Sequence, residues 1–472
     1  MAESATFMSG ATSFSSQGNS TASPRAEPGE AFVSDQIVFT PRSYSAPSST
    51  SPSSPSFSPQ KMGILSPQIG TTSGDLDINS TPPCSVAGMR SPSPFPLGLD
   101  SPPASRLRGS PDPSTTDRSI KTLEQKRKEA VSLAYVWPTE HRPAIQHDEF
   151  TDIEIPTIDL TCLISKDPVA RKQVVAQVRA ACLNWGFFHA VNHGIPHELL
   201  ERVQKQAQRF FAMPKEEKLK VERDPKGYTG YGNAGVKPTD SQPWSEGFYL
   251  ANDSSVDKYS QVLWPHGDNE DFGNSYREYN EKAENLAAQL MDLIIESLEV
   301  NADHFQPYLH NASGLLRWNH YPPCPQPHKS LGMAPHTDFN MLTVLHQGDI
   351  GGLQVQKDGK WVAVRPNGDA LAINIGDTLQ VLTNALYKSI PHRAVVNRTQ
   401  TRISLAYFYA PTTKSEIVPS PELLERTNQS SIYKRFTMEE YLAVKKGQLL
   451  NTLQHFTLEP LTQSLAFPVH TE

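Results

Sequence analysis

The chain has 472 residues, 43 Lys and Arg against 50 Asp and Glu, and a formal net charge of −7. That length holds one large domain plus a tail, or two domains, and the acidic balance argues against a nucleic-acid binder, which would carry a basic surplus. No apolar run approaches the roughly 18 residues of a membrane span, and four cysteines without a CxxC step (Cys84, Cys162, Cys182, Cys324) argue against a disulfide framework or structural zinc and for a reducing compartment.

Residues 1–120 hold 28 Ser and 17 Pro and none of the six tryptophans. Such a stretch cannot bury enough apolar surface to offset its ordering entropy, so a disordered tail is expected. Eight Ser-Pro steps run from Ser51-Pro52 to Ser110-Pro111. They read as a spacer or as sites for proline-directed kinases. A cytoplasmic setting is expected. The alternative is a plastid leader: the first 24 residues are Ser-rich, but they hold no Arg or Lys. Lys126-Arg127-Lys128 reads as a solvated helix face.

From Tyr135 the pattern becomes globular. Ile153, Ile155 and Ile158 around Pro156 suggest a strand. Asp167-Pro168 offers an N-cap followed by proline at the first helical position. Val174, Val178, Ala181 and Cys182 share one face of that helix, and Gly186 is placed to stop it. A strand follows through Val191. A second amphipathic helix carries Leu199, Leu200, Val203, Ala207 and Phe210. A third runs from about Tyr276 to Leu298, with Leu286, Leu290, Leu293 and Ile294 inward.

After residue 312 the period changes to two. Strands are expected at Leu315–Tyr321, Met341–His346, Leu353–Gln356, Trp361–Val364, Ala370–Ile375, Thr378–Leu382, Arg393–Val396 and Arg402–Tyr409, separated by Gly, Asn and Asp steps. Many short strands at this spacing indicate a two-sheet antiparallel barrel or jelly roll. Thr437-Met438-Glu439-Glu440 is a capping box opening a helix through Leu449.

Within that frame, residues i and i+2 of an extended chain share a face. His336 and Asp338 can therefore both aim into the barrel, with Thr337 outside. His392 is the next histidine on a β-segment. Either the three form a 2-His-1-carboxylate facial triad, the arrangement of non-haem Fe(II) oxygenases, or a surface His-Thr-Asp turn stands beside an unrelated histidine. Arg402 and Ser404 also share a face. A bound carboxylate would satisfy them, as would a rim salt bridge with an internal acid. Arg317, Asn319 and Tyr321 alternate onto one face of their strand, either lining the same cavity or as ordinary half-buried alternation. His189, His193, His320, His328 and His346 lack a second ligand at useful spacing and read as core or surface residues.

A set of landmarks then lines up in order: Ile155-Pro156-Thr157-Ile158-Asp159-Leu160, Trp185-Gly186-Phe187-Phe188, Val191-Asn192-His193-Gly194, Asn319-His320-Tyr321-Pro322-Pro323-Cys324-Pro325, His336-Thr337-Asp338, Gly352-Leu353-Gln354-Val355, Asn374-Ile375-Gly376-Asp377, His392-Arg393 and Arg402-Ile403-Ser404. With them the chain from about Val136 to Phe456 resembles the plant-type 2-oxoglutarate- and Fe(II)-dependent dioxygenases. The resemblance implies a mainly β fold with flanking α: a double-stranded β-helix (jelly-roll) core supported by helices. It would divide the chain into a tail (1–120), a helical and β support region (121–310), the catalytic core (311–412) and a C-terminal helix and tail (413–472).

The resemblance also implies roles. His336, Asp338 and His392 would be the iron ligands. Arg402, Ser404 and Tyr321 would hold the distal carboxylate of 2-oxoglutarate, with Asn319 beside it. O2 would be the second cosubstrate and ascorbate the reductant. Within the family the chain is most similar to the gibberellin oxidases. Val136-Trp137-Pro138 resembles the 20-oxidases, Trp244-Ser245-Glu246-Gly247-Phe248 the 3-oxidases, and Leu316-Arg317 the 2-oxidases, with the 3-oxidase type favoured. A gibberellin-type substrate carries a carboxylate, for which Arg317 is the candidate anchor. The expectation is a monomeric oxidoreductase hydroxylating or desaturating a small organic acid, with no nucleic-acid or membrane partner. The alternatives are the same chemistry on a flavonoid, alkaloid or phenolic, and a non-catalytic ligand-binding jelly roll.

Overall fold

Alternation of apolar and polar residues after residue 312 dictates strands that bury one face, and the computed structural model arranges them in two facing sheets. It describes residues 131–143, 154–224, 227–233, 241–251, 253–265, 267, 269–368 and 370–458. The Ser/Pro-rich tail, the basic run at 126–128 and Ile153 fall outside the described residues.

The strands are β1 (Thr157–Asp159), β2 (Phe187–Val191), β3 (Gly230–Tyr231), β4 (Glu246–Leu250), β5 (Ser313–Tyr321), β6 (Met333–His336), β7 (Leu342–His346), β8 (Leu353–Lys357), β9 (Lys360–Ala363), β10 (Leu371–Ile375), β11 (His392–Ala394), β12 (Arg402–Ala410), β13 (Glu416–Ile417) and β14 (Phe436–Thr437). The larger sheet has the order β1-β2-β10-β7-β12-β5-β4-β3, the smaller β6-β11-β8-β9, and β13 pairs with β14. Only β1–β2 is parallel among these strand pairs. Phe187, Leu345, Ala406 and Phe408 of the larger sheet meet Leu353, Val355 and Val362 of the smaller in one apolar cluster. This is the jelly-roll core.

Five helices bear on the argument: α1 (Pro168–Asn184), α2 (His197–Phe211), α3 (Asn269–Leu298), α4 (Asp377–Leu382) and α5 (Met438–Lys445). The Asp167 carboxylate accepts from the Val169 amide, and Pro168 opens α1. Gly186, at φ 63°, closes it; a Cβ there would meet the Lys388 carbonyl oxygen at 2.5 Å, so only glycine fits. The outer face of the large sheet buries Leu316 and Trp318 of β5 against helix residues such as Phe210 and Phe272. Phe210 stacks on Phe248 with ring centres 4.2 Å apart. Each such buried side chain contributes roughly 1.5–3 kcal/mol.

Four expectations need correction. Residues 378–382 form not a strand but part of α4, because Gly376 is extended and Asp377 starts a helical turn. The strand around Pro156 is only Thr157–Asp159. The long helix begins at Asn269, seven residues before Tyr276. The capping box at Thr437 is present, but its helix stops at Lys445 rather than Leu449.

Candidate metal centre

β6 and β11 are antiparallel neighbours, with His336 directly opposite His392. Opposed residues share a face, so the two rings lie side by side, centroids 4.2 Å apart. Asp338 follows the end of β6 and turns back toward both. Its Oδ1 is 3.6 Å from each Nε2. One donor atom from each residue lies within 4.8 Å of the others.

The surroundings decide which atoms are free. His336 Nδ1 lies 2.8 Å from the Ala334 carbonyl and His392 Nδ1 lies 3.1 Å from that of Ile390. A carbonyl only accepts, so each Nδ1 carries the proton and each Nε2 keeps its lone pair for a metal. Asp338 Oδ2 accepts from Thr343 Oγ1 at 2.7 Å and Asn374 Nδ2 at 2.8 Å, leaving Oδ1 for the same point. Burial would raise the Asp338 pKa, but His392, then His336 and the Asn374 amide, hold it well below the usual carboxylate range. Burial and the adjacent His392 push His336 down to about 3. At His392 the Asp338 carboxylate outweighs burial and raises the pKa. Two imidazoles with Nδ1 spent on backbone carbonyls and one carboxylate, converging and pre-oriented, fit Fe(II) and leave other coordination positions open.

Asp338 lies beyond the strand end, so the i, i+2 alternation holds only as far as His336. Thr337, expected outside the barrel, is buried. Its hydroxyl donates to Asp377 Oδ2 at 2.9 Å and accepts from Lys445 Nζ at 2.8 Å.

β5 and β12 supply the next wall. Their register sets Tyr321 opposite Arg402, Asn319 opposite Ser404 and Arg317 opposite Ala406. All five polar residues line the interior cavity that also contains the His-Asp-His cluster. The Arg402 guanidinium is buried, 5.0 Å above the Tyr321 ring; its Nε donates to the Ile350 carbonyl at 3.0 Å. Its Nη1 reaches Ser404 Oγ at 3.5 Å, and Asn319 Nδ2 donates to that same oxygen at 3.3 Å. Among the described residues no carboxylate pairs with Arg402, so the rim salt bridge is not formed. Asn319 Oδ1 is buried without a partner. A buried cation beside unspent polar groups fits an acidic ligand.

A cavity of about 230 Å³ continues outward from His336 and Asp338. A water needs roughly 10–15 Å³ on this scale, so the space is ligand-sized. Its apolar wall includes Tyr249, Leu315, Phe339, Phe408, Met438 and Leu442. Four cations line it, Arg223, Arg317, Lys445 and Lys446, against one acid among the described residues, Asp338. Arg223 and Arg317 both lie over the Tyr249 ring, 5.1 and 4.9 Å from its centre, each with a buried Nε lacking a partner. Arg317 also donates to Asn233 Oδ1 at 3.3 Å. Sequence reasoning missed Thr343, Asp377, Lys445 and Arg223, and gave Asn374 no role.

Fold and site together define a non-haem oxygenase dependent on Fe(II) and 2-oxoglutarate. The 2OG-Fe(II) oxygenase superfamily pattern matches residues 312–411, and the pattern described as non-haem dioxygenase in morphine synthesis N-terminal matches 155–267. The chain belongs to this family and is a 2-oxoglutarate/Fe(II)-dependent dioxygenase. It is 36% identical to gibberellin 20 oxidase 4 of Arabidopsis thaliana, across 71% of this chain and 91% of that one. It is 38% identical to gibberellin 3-beta-dioxygenase 1 of Pisum sativum, across 62% and 76%. Among solved structures it is similar to JOX2 in complex with 2OG, Fe and JA: TM-score 0.63, 31% identity, 72% of this chain and 98% of that one. No helix among the described residues is long and apolar enough to cross a membrane.

Proposed function

We propose that this dioxygenase oxidises an apolar small molecule bearing a carboxylate, a gibberellin or related diterpenoid acid, with the 3-oxidase type of attack favoured. In this reading His336, Asp338 and His392 hold Fe(II) through two Nε2 atoms and Oδ1. Arg402 and Ser404, with Tyr321 beside them, hold the far carboxylate of 2-oxoglutarate. Asn319 lies alongside, and Arg317 takes the substrate carboxylate. Fe(II) with 2-oxoglutarate and O2 supplies the oxidising power to hydroxylate or desaturate an unactivated carbon, releasing succinate and CO2. The protein orients both acids and excludes water from the inner cavity.

The observation that carries the substrate class is the charge imbalance of the outer cavity. Arg223, Arg317 and Lys446 form no ion pair among the described residues, while the wall around them is apolar. An apolar acid supplies a counter-charge to these half-buried and exposed cations while its body covers the apolar wall; a neutral flavonoid, alkaloid or phenolic supplies none. The JOX2 complex with JA supports a second reading, a smaller acid in the same cavity.

The test is succinate release and product mass across gibberellin-type acids, JA, flavonoids, alkaloids and phenolics. Oxidation of a diterpenoid acid is expected. Turnover confined to JA favours the second reading, and turnover confined to neutral compounds overturns both.

A further inference from the structure

The tripeptide carrying two of the three metal-binding side chains is stitched to a helix over 100 residues further along the chain. Lys445, the last residue of α5, is buried at 13% side-chain exposure beside Asp377 at 4%. Its ammonium has three donors, and each finds an acceptor: Thr337 Oγ1 at 2.8 Å, Asp377 Oδ2 at 3.3 Å and the Leu449 carbonyl at 3.0 Å. Asp377 Oδ2 also accepts from Thr337 Oγ1 and the Tyr441 hydroxyl. The backbone adds two ties: the Thr337 amide to the Leu449 carbonyl at 3.4 Å, and the Asp377 amide to the Asp338 carbonyl at 2.8 Å.

Thr337 stands between His336 and Asp338, so fixing its side chain fixes the backbone that aims both. The same helix presents Met438, Leu442 and Lys445 to the outer cavity, and Leu449 lines it just beyond. One short element therefore forms the substrate wall and grips the metal-binding tripeptide, and Lys445 belongs to both.

We propose that Lys445 is a positioning residue: acting through Thr337, it holds His336 and Asp338 in the geometry that binds the metal. This rests on reading His336, Asp338 and His392 as the ligand set. Among the described residues, Thr337 Oγ1 is the only side-chain atom of the tripeptide that the ammonium bonds directly, and the route through Asp377 Oδ2 ends on that same hydroxyl. The effects of removing either end should therefore not add.

The experiment titrates Mn(II) into the full-length protein without turnover, alongside melting temperature. Lys445→Met keeps the stem and removes the donors; Thr337→Val keeps the shape and removes the hydroxyl. Each is expected to raise the Mn(II) dissociation constant about tenfold, the lower end for a group that orients a ligand. The double variant is expected to bind no more weakly than the worse single one. Lys445→Arg, a cation able to reach the same acceptors, should restore most of the affinity. A purely structural Lys445 would lower the melting temperature and leave Mn(II) affinity of the folded protein unchanged; that result, or additive losses in the double variant, overturns the proposal. His392→Ala is the separate control. If it binds Mn(II) as wild type does, the ligand assignment itself fails.

Discussion

A histidine binds a metal through a nitrogen lone pair, and here two backbone carbonyls settle which nitrogen offers it. Asp338 is treated alike: Thr343 and Asn374 occupy Oδ2 and leave Oδ1 facing the rings. Asn374→Ala removes one of those two donors without touching a ligand. Metal affinity should fall roughly 10–100-fold with the fold intact, measured by calorimetry; unchanged affinity would show that Thr343 alone suffices. His336→Ala and Asp338→Ala should abolish 2-oxoglutarate decarboxylation, since no other described His or acid joins the cluster. Arg402 presents a different problem, a buried guanidinium without a counter-charge. Arg402→Ala loses charged hydrogen bonds of about 1.5–3 kcal/mol, which is about 10–150-fold in KM for 2-oxoglutarate at 1.4 kcal/mol per decade. The rate at saturating cosubstrate should change less. An unaltered KM would make Arg402 a structural residue. Arg317→Leu should raise the KM of an acidic substrate at least about tenfold while 2-oxoglutarate turnover without substrate persists; a change under about twofold, near 0.4 kcal/mol, would remove it as the anchor.

Tyr321, Asn319, Arg402 and Ser404 were legible because each sits on a strand where period two assigns a face, and because their register partners are themselves chemical: Tyr321 with Arg402, Asn319 with Ser404. α4 was not legible. Asp377, Thr378, Leu379, Val381 and Leu382 are all buried, so the segment has no exposed face to reveal a helical period. The grip of α5 on Thr337 was hidden for another reason: 108 residues separate Lys445 from Thr337, and no local pattern reports a contact across that distance. Strands β4 and β5 carry a further hidden device. Glu246 stands opposite His320 and meets Lys218 Nζ at 2.5 Å and the Tyr231 hydroxyl at 2.6 Å. Burial alone would raise its pKa, but His320, Lys218 and Tyr231 lower it from 4.5 to about 2. A carboxyl depressed on folding contributes stability that is complete above its unfolded pKa and lost as pH falls through the folded one. The contribution should therefore fade between about pH 4.5 and about pH 2. Glu246→Gln leaves Lys218 buried and uncompensated, costing about 3–5 kcal/mol at neutral pH. Urea unfolding of both proteins from pH 7 to 2 checks this; the difference between them should shrink toward acid, and a constant difference would sink the assignment.

At the scale of the whole molecule, the question is where the working enzyme begins. Every residue of the proposed site lies beyond residue 220, yet the described chain touches the barrel from residue 131 onward. Val131 is buried with Trp244, Tyr321, Cys324, Ala394 and Val396, and Tyr135, Val136 and Met333 pack against that cluster. The Tyr135 and Trp244 rings meet edge to face, centres 5.2 Å apart. Backbone bonds run from Gln242 to the Ala134 carbonyl and from Trp137 to that of Lys329. Arg393, the neighbour of His392, donates to the His141 carbonyl at 3.1 Å. Residues 131–143 thus form a strap packed into the apolar cluster that holds Tyr321, over whose ring the Arg402 guanidinium lies. A chain beginning at residue 121 keeps all of these contacts; it should retain kcat and the KM for 2-oxoglutarate within about twofold, near 0.4 kcal/mol. A chain beginning at residue 144 exposes Trp244 and the outer side of Tyr321. Losing even one well-buried apolar partner costs roughly 1.5–3 kcal/mol, so it should melt lower and show a higher KM for 2-oxoglutarate. Equal behaviour of the two truncations would mean that the strap only covers the barrel. Failure of the longer one would mean that residues 1–120 support the core, contrary to the absence of a periodic apolar face in them.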